Sequence, residues 1–265
     1  MYIHDLNPVL ISFGFFEIRW YSLAYIFGIL IGWWIAKKII VFKAKNRNIT
    51  FNTESFDDLV SYVIISIILG GRLGYIIFYN PSYYFDNPLD VFKIWQGGMS
   101  FHGALIGVIF GTSLFANKVK INSFFFLDVI ACVAPVGILF GRVANSINGE
   151  LYGKPSNFFW SVIFPKVDKI PRHPSQLYEA VLEGILLFII LVSIFYKRET
   201  KTGIVSALFM ILYGFFRIVV EQFREPDIQI GYVFNLFSMG SVLSFFMILI
   251  GLFILKKATN NEFIK

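Results

Sequence analysis

Charge is what this chain of 265 residues most lacks. Only 15% of it is Asp, Glu, Lys or Arg, against about 25% in ordinary soluble domains. A soluble fold needs polar residues to clothe its surface, and here there are too few. Cysteine is nearly absent as well: Cys132 stands alone, which excludes an internal disulfide and CxxC chemistry. The N-terminus lacks a cationic leader, because Asp5 and Glu17 precede the first basic residue, Arg19; a cleaved signal peptide is not expected. Internal repeats, frequent in transporters, are not evident. The Asp-rich metal motif of CDP-alcohol phosphatidyltransferases is missing. The G-x-S-G of an intramembrane serine protease is approached only by Gly98-Met99-Ser100-Phe101, which lacks the last Gly. What the chain does hold is 57% apolar residues, 32 of them Phe. Such a composition excludes disorder and a nucleic-acid-binding module, and it belongs in lipid. The net charge of +6 fits cytoplasmic loops of a membrane protein.

Seven stretches are long and apolar enough to cross a hydrocarbon core, which takes about 20 helical residues. They cover about 20–36, 59–79, 99–117, 121–142, 176–196, 203–224 and 228–255. The expected fold is an all-α integral membrane protein, a single multi-pass domain built as a seven-helix bundle. Residues 143–175 hold Gly, Pro, Asn and aromatics and predict a small folded cap on the outer side. Residues 6–18 read as an interfacial segment. The stretch NPSYYFDNPLDVFKIWQGG at 80–98 reads as an amphipathic one at headgroup level. More than half of the 23 cations fall in the odd-numbered connections: Lys37, Lys38, Lys43, Lys45 and Arg47, then Lys118 and Lys120, then Lys197, Arg198 and Lys201, then Lys256, Lys257 and Lys265. The positive-inside rule then predicts an outside N-terminus and a cytoplasmic C-terminus. Lys154, Lys166, Lys169 and Arg172 in the cap run against that rule and call for another role.

A charged side chain at mid-membrane costs roughly 2.5–3.5 kcal/mol on insertion scales, so each needs a partner or a task. In the sixth span Tyr213, Arg217, Glu221 and Arg224 fall on one helical stripe. Arg217 and Glu221 can pair, leaving a fixed positive charge. The stripe is either a helix-locking salt bridge or a site for an anion inside the bilayer. Arg142 and Asn145 end the fourth span in GRVANSINGELYG, with Asn148 and Glu150 following. Arg142 either snorkels to the interface or grips phosphate oxygens with two parallel hydrogen bonds. His102 opens the third span in GGMSFHGALIG; it is an interfacial hydrogen-bonded residue or a base at neutral pH. Gly103, Gly107 and Gly111 behind it allow close helix packing. Gln176, Glu179 and Glu183 share a face in the fifth span and either counter the arginines or merely hold the bundle. Arg72 sits among Gly70, Gly71 and Gly74. Asp128 caps, pairs or titrates, and the sequence leaves the choice open. Cys132 reads as a small core residue.

Taken in order, IRWYSLAY, GGRLGY, GGMSFHGALIG, GRVANSINGELYG, RHPSQLYEAVLEG and YGFFRIVVEQFREPD resemble the bacterial prolipoprotein diacylglyceryl transferases. The resemblance is collinear from about Pro8 to about Leu255. It departs from the family signature at Ala144 and Ser146, where the family has a Gly and an aromatic, and at Ala104, where the family often has a second Gly. The resemblance implies a seven-span enzyme of the bacterial inner membrane with a periplasm-facing cap. It implies transfer of the diacylglyceryl group of phosphatidylglycerol to the lipobox Cys of a preprolipoprotein signal peptide, with membrane lipids around it and no cofactor or metal. Catalytic roles fall on Tyr21, His102, Arg142 and Arg217, and substrate-binding roles on Arg142, Asn145, Glu150, Gly153, Tyr213, Glu221 and Arg224. Glu221 and Glu150 would orient the arginines. The rival class is a transporter of an organic anion or phospholipid, which shares the intramembrane cations but makes no covalent product.

Overall fold

The computed structural model describes residues 2–14, 16–47, 49, 52, 54–197, 200–226, 232–233 and 237–260. A short strand β1 (Tyr2–Ile3) leads into a hairpin, β2 (Val9–Phe13) and β3 (Phe16–Arg19), in antiparallel register. The interfacial segment expected at 6–18 is thus largely this hairpin. Helices follow: α1 (Trp20–Arg47), α2 (Ser55–Tyr79), α3 (Pro81–Asp86), α4 (Phe101–Val119) and α5 (Ser123–Asn148). Between α3 and α4 lie two 3-10 turns, Pro88–Phe92 and Ile94–Gln96. After α5, strands β4 (Val162–Ile163) and β5 (Pro171–Arg172) pair antiparallel, and β1 joins β4 in parallel. The chain then runs through α6 (Ser175–Glu179), a π-helical stretch Ala180–Leu186, α7 (Leu187–Phe195), α8 (Ile204–Glu221) and α9 (Met239–Thr259).

Among the described residues, six helical runs are long and apolar enough to cross a membrane: α1, α2, α5, the run Ser175–Phe195, α8 and α9. The structure is therefore that of a mostly helical, multi-pass membrane protein. The expected third span is present as the 19-residue α4 but is not among the six. His102, Asn117 and Lys118 near its ends dilute its apolar run. The expected start of the last span, at 228, lies outside the described residues, as do Arg198 and Lys265; α9 begins at Met239.

The chain forms two compact units: Met1–Ala36 with Ile130–Glu262, and Lys37–Val129. In the second, α2 and α4 meet backbone to backbone. A Cβ added to Gly70 would lie 2.5 Å from the Gly103 carbonyl oxygen, so only glycine permits this approach. The cations after the first expected span do not form a solvated turn. α1 continues past them, Lys37 pairs with Asp57 at 2.9 Å, and buried Lys43 pairs with Asp128 at 2.5 Å. Asp128, left open by the sequence, is thus an ion-pair partner. In the first unit the expected cap begins later than 143, because α5 runs on to Asn148. Gly149 (φ 71°) and Leu151 (φ 55°) turn the chain out of the helix. His4 Nε2 lies 2.9 Å from the Ser146 carbonyl oxygen and tethers the N-terminal strand to the end of α5.

Candidate functional site

The site grows from three helices of the first unit. α8 is mostly apolar, and its Tyr213, Arg217 and Glu221 are spaced by four, which places them on one buried face. Arg224 does not continue that stripe on the helix: α8 ends at Glu221, and Arg224 lies in the chain that pairs with Gly153 of the cap. Its guanidinium nevertheless reaches back to Glu221, at 3.4 Å. The run from Ser175 presents Gln176, Glu179 and Glu183, all 0% exposed. Glu183 sits in the π-helical stretch, a distortion that recurs at functional sites. α5 supplies Arg142 from its last two turns.

These side chains form one buried ion-pair network. Glu179 meets all three arginines: Arg142 Nε at 3.2 Å, Arg217 Nη1 in a short contact, and Arg224 Nη1 at 3.9 Å. Glu183 stands 3.5 Å from Arg142 and 3.9 Å from Arg217. Glu221 takes Arg217 Nη2 at 2.6 Å. Tyr213, 2% exposed, lies one helical turn before Arg217. The three carboxylates balance the three guanidinium groups in formal charge. The fixed positive charge expected from the Arg217–Glu221 pair alone is therefore compensated by Glu179 and Glu183. Such a network survives desolvation only while its members stay paired. Arg142 is its most open cation, with 16% of its side chain exposed. Among the described residues its only ion-pair or hydrogen-bond partners are Glu179 and Glu183, so N–H groups remain for an anion.

The end of α5 carries a second polar group. Asn145 Nδ2 donates to Glu150 Oε1 at 2.6 Å, and Asn148 Nδ2 to the same oxygen at 3.3 Å. Glu150 was expected to orient the arginines; among the described residues it holds the two asparagines instead. Its carbonyl accepts from Gln176 Nε2 at 2.6 Å, and the Leu151 carbonyl from Ser175 Oγ at 2.9 Å. Gly153 is wedged between His173 and Phe223; a Cβ there would meet their carbonyl oxygens at 2.5 and 2.6 Å. Glycine at 153 thus lets the cap strand dock on the end of α8.

Tyr21 belongs to the same unit. Its hydroxyl accepts from Tyr25 at 3.3 Å, and the Tyr25 hydroxyl lies within electrostatic range of Arg142 and Glu150. His102 is not part of this unit. It sits in the first turn of α4, two residues after the N-cap Ser100, with its ring edge-on to Phe101 at 5.5 Å. Cys132 is buried in α5, its Sγ 4.0 Å from the Leu191 carbonyl oxygen.

Residues 8–256 match the family model described as prolipoprotein diacylglyceryl transferase. The chain belongs to the prolipoprotein diacylglyceryl transferase family. It is 48% identical over 253 residues to the phosphatidylglycerol–prolipoprotein diacylglyceryl transferase of Rickettsia felis, covering 95% of this chain and 96% of that one. The protein of the same name from Rickettsia typhi is 47% identical over 258 residues, covering 96% and 98%. That of Rickettsia rickettsii (strain Sheila Smith) is 49% identical over 253 residues, covering 95% and 96%. The stretch matched to the family holds the ion-pair network, the cap and His102 alike. Within that frame, Glu179 and Glu183 are the network members absent from the sequence-level site. Their signal was available: two carboxylates four apart inside an apolar span are costly unless paired.

Proposed function

We propose that this chain is a phosphatidylglycerol–prolipoprotein diacylglyceryl transferase. Its substrates are phosphatidylglycerol and the thiol of a lipobox Cys in a preprolipoprotein signal peptide. The observation that carries the reading is Arg142, held by Glu179 and Glu183 yet with N–H groups left over, in a chain about 48% identical to transferases so named. The sulfur attacks the glycerol carbon that bears the phosphate. An S–C bond forms, the C–O bond to phosphate breaks with its electron pair, and glycerol phosphate departs. The thiol proton goes to His102, because the thiolate is the nucleophile and a free Cys titrates at about 8.5.

In this reading Arg142 and Arg217 clamp the phosphate, and the departing charge is met by oriented donors in a low-dielectric site. Glu179, Glu183 and Glu221 aim those guanidinium groups. Arg224 ties Glu221 to the cap. Asn145 with Glu150, and Tyr21 with Tyr213, contact the headgroup, while Gly153 keeps the cap strand close. We place the protein in the bacterial inner membrane with α4 as a seventh span, the cap and N-terminus outside, and Lys256 and Lys257 in the cytoplasm. A reporter fused after Lys265 and read outside would break that orientation. The decisive test is purified protein with phosphatidylglycerol and a lipobox peptide, read by mass spectrometry. A diacylglyceryl adduct on the peptide thiol is expected. Lipid or anion flux in liposomes without an adduct would favour a transporter.

A further inference from the structure

Arg72 is the one cation of α2, it is 4% exposed, and its five N–H donors all point at backbone. Nε donates to the Val91 carbonyl at 3.0 Å. Nη1 donates to Gly97 at 2.5 Å and Gly98 at 3.3 Å, and Nη2 to Asp90 at 2.7 Å and Lys93 at 3.2 Å. The guanidinium also lies 5.1 Å from the centre of the Tyr84 ring. The accepting carbonyls lie in or just after the two 3-10 turns, whose ends leave carbonyls without turn partners; that of Asp90 also takes the Lys93 N–H. The Asp90 carboxylate is taken by Lys93 at 2.5 Å and Tyr83 at 2.7 Å. Arg72 therefore has no ion pair among the described residues; backbone carbonyl dipoles and the face of the Tyr84 ring meet its guanidinium.

The clamped arm leads straight into α4. Gly97 and Gly98, with φ of 82° and 80°, bend the chain. A Cβ on Gly98 would lie 2.6 Å from the Tyr75 ring and 3.1 Å from Arg72 Nη1. The Ser100 N–H then donates to the carbonyl of Gly71, the neighbour of Arg72, at 2.9 Å. Ser100 Oγ caps α4 by accepting from Gly103 N at 3.2 Å. His102 is the second residue of that helix. One point on α2 thus fixes both the arm and the helix start that carries His102.

We infer that Arg72 is a positioning residue for His102, acting through the 88–98 arm; this rests on the role given to His102 above. Lysine cannot replace it, because one ammonium nitrogen cannot span five carbonyls set around a planar fork. The test uses the full-length enzyme in nanodiscs containing phosphatidylglycerol, with a lipobox peptide. Arg72→Lys and Gly98→Ala attack the same contact from opposite sides. Amide exchange is expected to rise over 88–104 and not elsewhere. The kcat should fall about 10-fold or more, since small displacements of a reacting group are costly, while KM for the lipid stays within about twofold. On a His102→Gln background Arg72→Lys should add little further loss, because both changes strike one function. A loosened arm with wild-type kcat, or losses that add in full, would overturn the inference. So would global unfolding of both variants, which would make Arg72 a structural residue. His102→Gln at the wild-type rate would refute the His102 role, and the Arg72 inference with it. Absence of any adduct from wild type would refute the transferase reading itself.

Discussion

Arg217 uses its two terminal nitrogens for two different carboxylates, Nη1 for Glu179 and Nη2 for Glu221. A lysine at 217 keeps the charge but offers one nitrogen, so it cannot hold both partners and a phosphate oxygen. Arg217→Lys is expected to lower kcat/KM by about 10²-fold or more, the scale of removing an oriented donor from a site of charge development. Steady-state kinetics of a folded variant within about threefold of wild type would refute the clamp. Cys132 makes the opposite case. It is 0% exposed, and in the proposed reaction the nucleophile comes from the substrate peptide. Cys132→Ser should therefore leave turnover intact, and a folded but inactive variant would place the thiol in the chemistry. Both residues were legible in the sequence, one as an expensive cation in an apolar run and the other as a small residue in an apolar helix. Glu179 was legible only as a counter-charge. That one carboxylate serves three arginines depends on how α5, the run from Ser175 and the end of α8 converge, and no local pattern encodes that.

At the scale of helices, the ends depart from the hydrophobic runs. α1 outlasts its apolar run, and two of the cations it carries there find acidic partners: Lys37 meets Asp57 in an exposed pair, and buried Lys43 meets Asp128. The apolar run stops at the first Lys, whereas the helix goes on to Arg47. α8 shows the converse. Arg224 keeps the stripe's spacing, yet the helix has ended, and the chain uses Gly153 and the cap to bring the guanidinium back. The buried Lys43–Asp128 pair makes a direct prediction. Its side chains are 7% and 1% exposed, so removing one takes the adjacent counter-charge from the other in a medium that solvates charge poorly. Lys43→Met should cost about 3–5 kcal/mol, whereas Lys43→Met with Asp128→Leu should recover most of that or exceed wild type. Unfolding midpoints in detergent micelles would decide. A double variant as weak as the single would show that the pair does more than neutralise itself.

For the molecule as a whole, two of the four cations in the stretch after α5, which the expected topology sets against the positive-inside rule, have structural work. Lys154 Nζ donates to the Gln222 carbonyl at 3.0 Å. Arg172 binds Asp168 at 2.6 Å, Glu225 at 3.1 Å and the Gly153 carbonyl at 3.1 Å. Two of the four thus fasten the cap to the chain that follows α8, where Arg224 enters the ion-pair network. The fastening should depend on pH in two steps. Burial pushes the His173 imidazole below its ordinary range, so the unfolded cap binds its proton more readily. The stability of the neutral ring is complete above about 6.5 and begins to fall below that. Hydrogen bonds from Arg172 hold the Asp168 carboxyl below the usual carboxylate range. Its contribution is complete above about 4 and is lost as pH falls through the lowered folded value. Amide exchange over 149–174, corrected for intrinsic rates, should therefore be flat from about pH 8 to 7. It should rise first below about pH 6.5, and again below about pH 4. His173→Gln should abolish the first rise alone and Asp168→Asn the second alone. A single rise untouched by either variant would mean that the cap is held by the ring packing of Phe223 and Tyr178 around His173 and the Tyr178 hydroxyl on its Nδ1 rather than by its charges.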